Sequence, residues 1–292
     1  MIRSLAVIGI LAVVIPLMGC AGSAGTETTP EARSFELPTY EDAARAYNES
    51  IAYRDRVWAR IVLQVRTPKE DGGLRRDQIE GYLQVARPNK VSIQLHKLGE
   101  TLFLFGSDDN RYWWFDLSES DDKFAAVGRH KQAGPDTAGR LGIPVQPLEL
   151  IALIGVRPLP EAGGTIRVSA DGQRYVIEPP AEGEARTTIL IDPETRAAIG
   201  AELRDAAGVL LASAEYQGSQ EFFVEGAALG VAEIPRRYFI RVPGEEAEIS
   251  IRLSDPKNQR LVRAVFDLEG LLRRFRIGRV IDLDEPRSAD AG

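Results

Sequence analysis

Between Val57 and His96 apolar and polar residues alternate through three consecutive segments, and this pattern constrains the chain more than any other. Val57, Ala59, Ile61, Leu63 and Val65 alternate with Trp58, Arg60, Gln64 and Arg66. Ile79, Gly81, Leu83 and Val85 alternate with Glu80, Tyr82 and Gln84, and then Val91, Ile93 and Leu95 with Ser92, Gln94 and His96. Successive side chains of a strand point to opposite faces, so each segment has one apolar face. Gly- or Pro-containing turns separate the segments, which predicts an antiparallel meander with one face buried.

More strands follow: Thr101–Phe105 and Arg111–Phe115, then Ile166 with Val168 and Tyr175 with Ile177 flanking the hairpin signal Asp171-Gly172. Further strands are expected over Thr187–Ile191, Ala198–Arg204, Val209–Tyr216, Arg237–Val242, Glu248–Leu253 and Phe275–Leu283. Residues 256–268 read as either a helical turn or another strand. Tyr112, Trp113, Trp114 and Phe115 are consecutive, so two of these aromatics face each way. That strand is either buried between sheet and helix or part of an aromatic-lined cavity.

Two helices stand out. Thr39-x-x-Asp42 has capping-box spacing ahead of the stripe Tyr40, Ala44, Tyr47, Ile51. Leu148–Ile154, with Pro147 at its first turn and Gly155 beyond its end, is apolar nearly all round, which a surface helix is not. It either plugs a concave sheet face or is a lid over a cavity. The fold class is therefore α+β, mainly antiparallel β: ten or so consecutive strands with two helices suggest one twisted sheet curled around a helical plug.

The residue inventory removes most chemistry. Two His and one Cys exclude a disulfide framework and a multi-histidine metal cage, and no metal site is expected. A net charge of −7 argues against nucleic acid as a partner. No Gly-x-Ser-x-Gly elbow, phosphate loop or dinucleotide fingerprint occurs, so no catalytic residue and no cofactor is assigned. His96 falls on the polar face of its strand, and His130 in a solvated basic turn. Asp108-Asp109 and Asp121-Asp122 lack the ligand spacing of a calcium loop and read as solvated turns. The cluster Arg273-Arg274-x-Arg276 with Arg279 is either the wet face of an edge strand or a site for anionic headgroups.

The N-terminus carries Arg3 and an apolar stretch from Leu5 to Met18, too short to span a bilayer and closed by Gly19 and Cys20. Leu17-Met18-Gly19-Cys20 resembles the bacterial lipobox. The resemblance implies a signal peptide over 1–19, cleavage before Cys20, acylation of that cysteine and a lipid anchor in the membrane. With Ala21 rather than Asp next, it implies the outer membrane, facing the periplasm. Residues 20–38, small, polar and Pro-punctuated, read as a tether, residues 39–285 as one domain, and 286–292 as a disordered tail.

Gly81-x-Leu83-x-Val85-x-Arg87-Pro88-Asn89-Lys90, the turn Ser107-Asp108-Asp109-Asn110 and the aromatic strand Tyr112–Phe115 occur in an order that resembles the periplasmic lipoprotein-carrier superfamily, LolA-like and LolB-like. The resemblance implies a curved, half-open β-barrel of about eleven strands closed by a helical plug or lid, with an apolar cavity for acyl chains. With a lipobox it is more like the anchored acceptor than the soluble shuttle, and by position the carrier's functional arginine falls on Arg87. The expected function is non-enzymatic binding of a lipid or acylated protein. Leu83, Val85, Ile93, Leu95, Phe103, Phe105, Trp113 and Phe115 are the candidate walls, and Leu150, Ile151 and Ile154 the lid. The rivals are an envelope interaction or sensor lipoprotein with a protein partner and no lipid cargo, and a hydrolase with scattered carboxylates. Replacing Cys20→Ser is expected to move the chain from the membrane to the soluble fraction and to abolish labelling by a fatty-acid analogue. Unchanged fractionation would remove the lipid anchor.

Overall fold

The structure, a computed structural model, describes residues 36–68, 74–119, 122–133, 147–180, 185–224, 230–243 and 248–285. They belong to one compact unit that starts at Glu36. Cys20, the signal peptide, most of the tether and the tail lie outside the described residues, as do Gly139, Gly142 and Pro144. No helix among the described residues is long and apolar enough to cross a membrane.

Helix α1 (Tyr40–Ser50) begins where the cap signal lies: the Thr39 hydroxyl accepts from the Asp42 amide at 3.2 Å. Its stripe of Tyr40, Ala44, Tyr47 and Ile51 is buried. The three alternating segments become β1 (Arg56–Pro68), β2 (Leu74–Ala86) and β3 (Lys90–Lys97), followed by β4 (Glu100–Ser107), β5 (Arg111–Asp116) and β6 (Phe124–Arg129). Helix α2 (Pro147–Leu153) comes next. The remaining strands are β7 (Thr165–Val168), β8 (Tyr175–Glu178), β9 (Arg186–Ile191), β10 (Ala198–Arg204), β11 (Leu210–Val224), β12 (Val231–Arg241) and β13 (Glu248–Asn258). Helix α3 (Leu268–Phe275) and β14 (Arg279–Asp282) close the chain.

Among the described residues, fourteen strands form one curved sheet in the order β14-β6-β5-β4-β3-β2-β1-β13-β12-β11-β10-β9-β8-β7. Neighbours run antiparallel except β14, which lies parallel to β6, and a short parallel contact between β11 and β13. Strands β14 and β7 are free edges, so the sheet is an unclosed half-barrel. Its main apolar cluster lies on the concave face with α1 and α2. The count exceeds the eleven that the resemblance implies, and β6 falls where no strand is expected from the sequence.

The C-terminal segment departs from expectation. Residues 263–266 form a 3-10 turn, and Leu268–Phe275 is a helix where a strand was expected to start at Phe275. Its apolar residues Leu268, Leu271, Leu272 and Phe275 follow i, i+3, i+4, i+7, a helical spacing. Asp267 caps it by accepting from the Gly270 amide at 3.1 Å, and Arg276 ends it with φ 54°. Arg273 and Arg274 therefore sit in the last turn of α3, where cations complement the helix dipole, rather than on a wet strand face. Only Arg279 is on a strand; it pairs with Asp122 at 3.1 Å and lies over Phe124. His130, expected in a solvated turn, stacks on Tyr112, with Nε2 2.9 Å from the Asp108 carbonyl. Asp108 accepts from the Asn110 and Arg111 amides, and Asp109 pairs with Lys90 at 3.0 Å.

Helix α3 covers the convex face over β4–β6, where Leu268 and Leu271 pack on Leu104, Trp113, Phe115, Leu117 and Ala125. The Trp113 indole lies flat over Gly106 of the neighbouring strand, and a Cβ built there would fall 2.6 Å from Nε1. Gly106→Ala is expected to cost about 2 kcal/mol by forcing that indole off its seat. Gly278→Ala, which meets nothing, is expected to stay within about 0.5 kcal/mol of the parent. Chemical denaturation of the two variants checks the pair.

Candidate ligand-binding site

The concave face is assembled by register. Ala59 of β1 stands opposite Leu83, Leu83 opposite Ile93, Ile93 opposite Phe105 and Phe105 opposite Trp114, making one apolar row across five strands. Flanking rows run Val57–Val85–Val91 and Ile61–Gly81–Leu95–Phe103. At Gly81 the Gln94 carbonyl of β3 occupies the space a Cβ would need. The other arm supplies Ile189 and Ile191 of β9, Ala201 and Leu203 of β10, Tyr216 of β11 and Tyr238 of β12 to the same cluster.

Helix α2 fills the space between the arms, packing against β3 and β4 on one side and β9 and β10 on the other. A helix touched by sheet on two sides keeps little solvent face, which accounts for its apolarity from Leu150 onward. Leu150, Ile151, Ala152, Leu153 and Ile154 are all buried.

Hydrogen bonds hold its C-terminal end. Gly155 turns the chain with φ 68°, and its amide donates to the Ala152 carbonyl at 3.1 Å. The Tyr216 hydroxyl donates to the Leu153 carbonyl at 2.8 Å, and Arg54 Nη1 to the Gly155 carbonyl at 3.1 Å. A side chain at Gly155 would fall 2.8 Å from the Tyr216 hydroxyl, so this turn needs glycine for space as well as for φ. Helix α1 clasps the segment beyond. Asn48 donates to the Leu159 carbonyl at 2.9 Å and accepts from the Leu159 amide at 2.8 Å, while the Tyr40 hydroxyl donates to the Pro160 carbonyl at 2.7 Å. Arg87 holds the end of α1 by donating to the Ile51 and Ala52 carbonyls at 3.0 and 2.7 Å. Burial pushes its guanidinium below the usual value, against the opposing pull of Asp55 and Tyr47.

Of the residues singled out in the sequence, Leu83, Val85, Ile93, Leu95, Phe105, Leu150, Ile151 and Ile154 meet in this one cluster, and Phe103 packs against its edge. Trp113 and Phe115 do not: they face the convex side beneath α3, and Trp114 takes the concave position, stacked on Phe103 at 5.4 Å. The cause is the turn. Ser107 pairs with Tyr112, so four residues intervene and odd positions on β4 face the same way as even positions on β5. Sequence reasoning also missed Tyr47, Tyr216, Tyr238 and Arg54, which periodicity marks only as ordinary members of strands and helices.

The eight wall and lid residues fill the cluster between sheet and helix. Beside it, a cavity of about 300 Å³ opens at the flank of α2, floored by Ala152, Leu159 and Ile189, with Arg157 and Arg186 at its lining. On the convex face, Trp58 and Tyr82 stack at 5.6 Å, Tyr82 meets His96 edge-on at 5.5 Å, and Lys257 lies over the Trp58 ring. His96 Nδ1 is 3.2 Å from the Thr101 hydroxyl, and burial pushes its pKa down.

Solved structures share this arrangement. A LolA superfamily protein of Nitrosomonas europaea superposes with a TM-score of 0.52 at 14% identity, over 80% of this chain and 99% of that one. The fold is LolA-like. A DUF1329 family protein of Desulfovibrio piger gives 0.52 at 14% identity, over 80% of this chain and 97% of its own. A domain assigned to outer membrane lipoprotein sorting in Vibrio parahaemolyticus gives 0.50 at 12%, over 80% and 97%. No family model and no curated protein matches the sequence.

In this LolA-like half-barrel the Asn48 clasp ties the helical insert to α1. Asn48→Ala removes both hydrogen bonds to Leu159 and is expected to lower stability by about 1–2 kcal/mol. Hydrogen exchange should quicken first at the amides of residues 154–159, while those of β1–β3 keep their protection.

Proposed function

We propose that this protein is a non-enzymatic lipoprotein of the bacterial envelope, anchored through Cys20 in the outer membrane and facing the periplasm. On this reading it takes the acyl chain of a lipid or of an acylated protein between the concave face and α2. The observation that carries the reading is α2 itself: an apolar helix lying between two arms of an open sheet and hydrogen-bonded to it at its C-terminal end. A sheet face of this size needs an apolar cover, and a hydrocarbon chain is chemically equivalent to the side chains that cover it. Each methylene transferred from water contributes about 0.8 kcal/mol, so ten of them offset about 8 kcal/mol of lid displacement. The cavity between Ala152, Leu159 and Ile189 gives such a chain a place to begin beside the lid. The fold, shared with a lipoprotein-sorting domain, supports the same reading.

A second reading draws on the packed interior: the protein binds an envelope partner through the exposed Trp58–Tyr82–Lys257 surface and carries no lipid.

One measurement separates them. The full-length Cys20→Ser chain is weighed by native mass spectrometry, as purified and after incubation with phospholipid and with a diacylated peptide. A stoichiometric adduct whose extracted mass is an acyl lipid is expected. A bare mass throughout would sink the lipid reading and leave the outer face as the site.

A further inference from the structure

The concave cluster contains an array of donors that its own chemistry leaves short of acceptors. Arg54 is only 9% exposed, inside a face otherwise built from aliphatic and aromatic residues. A guanidinium carries five N–H donors. Arg54 gives Nε to the Glu233 carbonyl at 3.0 Å and Nη1 to the Gly155 carbonyl at 3.1 Å. Among the described residues its ion-pair partners number none, although buried charges are normally paired.

Three of the five tyrosines in the cluster bear on this arginine's surroundings: Tyr47, Tyr216 and Tyr238. Tyr216 and Tyr238 meet edge-on with ring centroids 5.3 Å apart. The Tyr216 hydroxyl is satisfied by the Leu153 carbonyl, but the hydroxyls of Tyr47 and Tyr238 are buried without a partner. Those two residues are 3% and 1% exposed. Burial pushes the Tyr47 hydroxyl up to about 12 and that of Tyr238 higher still, with Arg54 opposing in both, so neither ionises and both remain donors. An unmade hydrogen bond of this kind carries the full desolvation cost of the group.

The partners that are present have a common origin: the carbonyls of Leu153 and Gly155, at the C-terminal end of α2. These are the oxygens a helix end leaves unsatisfied, and they carry partial negative charge. We infer that Arg54, Tyr47, Tyr216 and Tyr238 form a seat for the oxyanion head of an amphipathic ligand, a carboxylate or a phosphate, and that the end of α2 occupies the seat when the ligand is absent. This rests on the proposed displacement of α2 by an acyl chain and adds the head to that tail. A head with several oxygens satisfies the two idle hydroxyls, which the two carbonyls do not reach, and neutralises Arg54. Lid release and head recognition then use the same donors: the ligand takes over Arg54 and Tyr216 as it frees the helix.

The test uses the full-length Cys20→Ser chain and three amphiphiles with the same sixteen-carbon chain: a carboxylate, a phosphate monoester and an alcohol. Affinities are measured for the parent and for the Tyr47→Phe/Tyr238→Phe double variant. The parent is expected to bind one or both oxyanions at least tenfold more tightly than the alcohol, and the tighter of the two identifies the head. The double variant is expected to lose about tenfold for each hydroxyl on the oxyanion while keeping its affinity for the alcohol. Its melting temperature should hold or rise, because the hydroxyls removed were unsatisfied. Equal binding of all three amphiphiles by the parent overturns the seat and leaves acyl-chain binding standing. Equal losses for oxyanion and alcohol, or a fall in melting temperature with no change in selectivity, make the tyrosines structural and overturn it too. Binding of none of the three removes the seat together with the acyl-chain reading on which it rests.

Discussion

The contact between α2 and the concave face is the constraint around which the rest of the structure is arranged. A sheet of fourteen strands that bends without closing has an inner face that cannot bury itself, because no second sheet lies opposite. The face is apolar across its width, from Val57 and Ala59 of β1 to Trp114 of β5 on one arm and Ile189 of β9 on the other. Helix α2 supplies the missing layer by reaching both arms, and it has to be apolar on every side to do so. The other helical elements follow from this arrangement. Helix α1 closes against the segment behind α2 through Asn48 and Tyr40, Arg87 fastens the end of α1, and Gly155 allows the sharp exit that brings Leu159 back to Asn48.

Parts of this were legible because they depend on local periodicity. The meander from β1 to β3, the buried stripe of α1 with its Thr39 cap, and the all-round apolarity of 148–154 are each a pattern within a dozen residues. The wall residues on β2 and β3 came out together because the turns joining β1, β2 and β3 preserve parity: Leu83 opposes Ala59 and Ile93 with no flip. The failure at Trp113 and Phe115 has the same physics with the opposite sign. Four intervening residues between Ser107 and Tyr112 reverse parity, and no property of the aromatics themselves reports it. Helix α3 was readable in principle from Leu268, Leu271, Leu272 and Phe275. The arginines beside it obscured the pattern, since Arg274 and Arg276 also alternate with Phe275 and Ile277.

The donor cluster was beyond sequence reasoning for a different reason. Arg54, Tyr47, Tyr216 and Tyr238 come from a 3-10 turn, a helix and two strands; the folded sheet brings Arg54 and Tyr216 to the end of α2, with Tyr238 against Tyr216 and Tyr47 in the same buried cluster. Nothing in the neighbourhood of any one of them in sequence distinguishes it from a surface arginine or a core tyrosine. The number of strands between the arms and the place where α2 ends decide that they meet.

Their position has an energetic consequence for how the lid is held. An interior covered by dispersion and the hydrophobic effect alone has no preferred register for its cover, since those forces are non-directional. Hydrogen bonds from Arg54 and Tyr216 to the last carbonyls of α2 supply the direction, and they do so where the alternative acceptor is not water. Such bonds are strong when made and costly when broken without replacement. A purely apolar ligand would therefore displace α2 only by leaving Nη1 of Arg54 and the Tyr216 hydroxyl without their acceptors. A ligand that brings its own oxygen acceptors pays no such penalty. The two donors that fix the lid in its closed place thus discriminate, on physical grounds alone, between a hydrocarbon and an amphiphile.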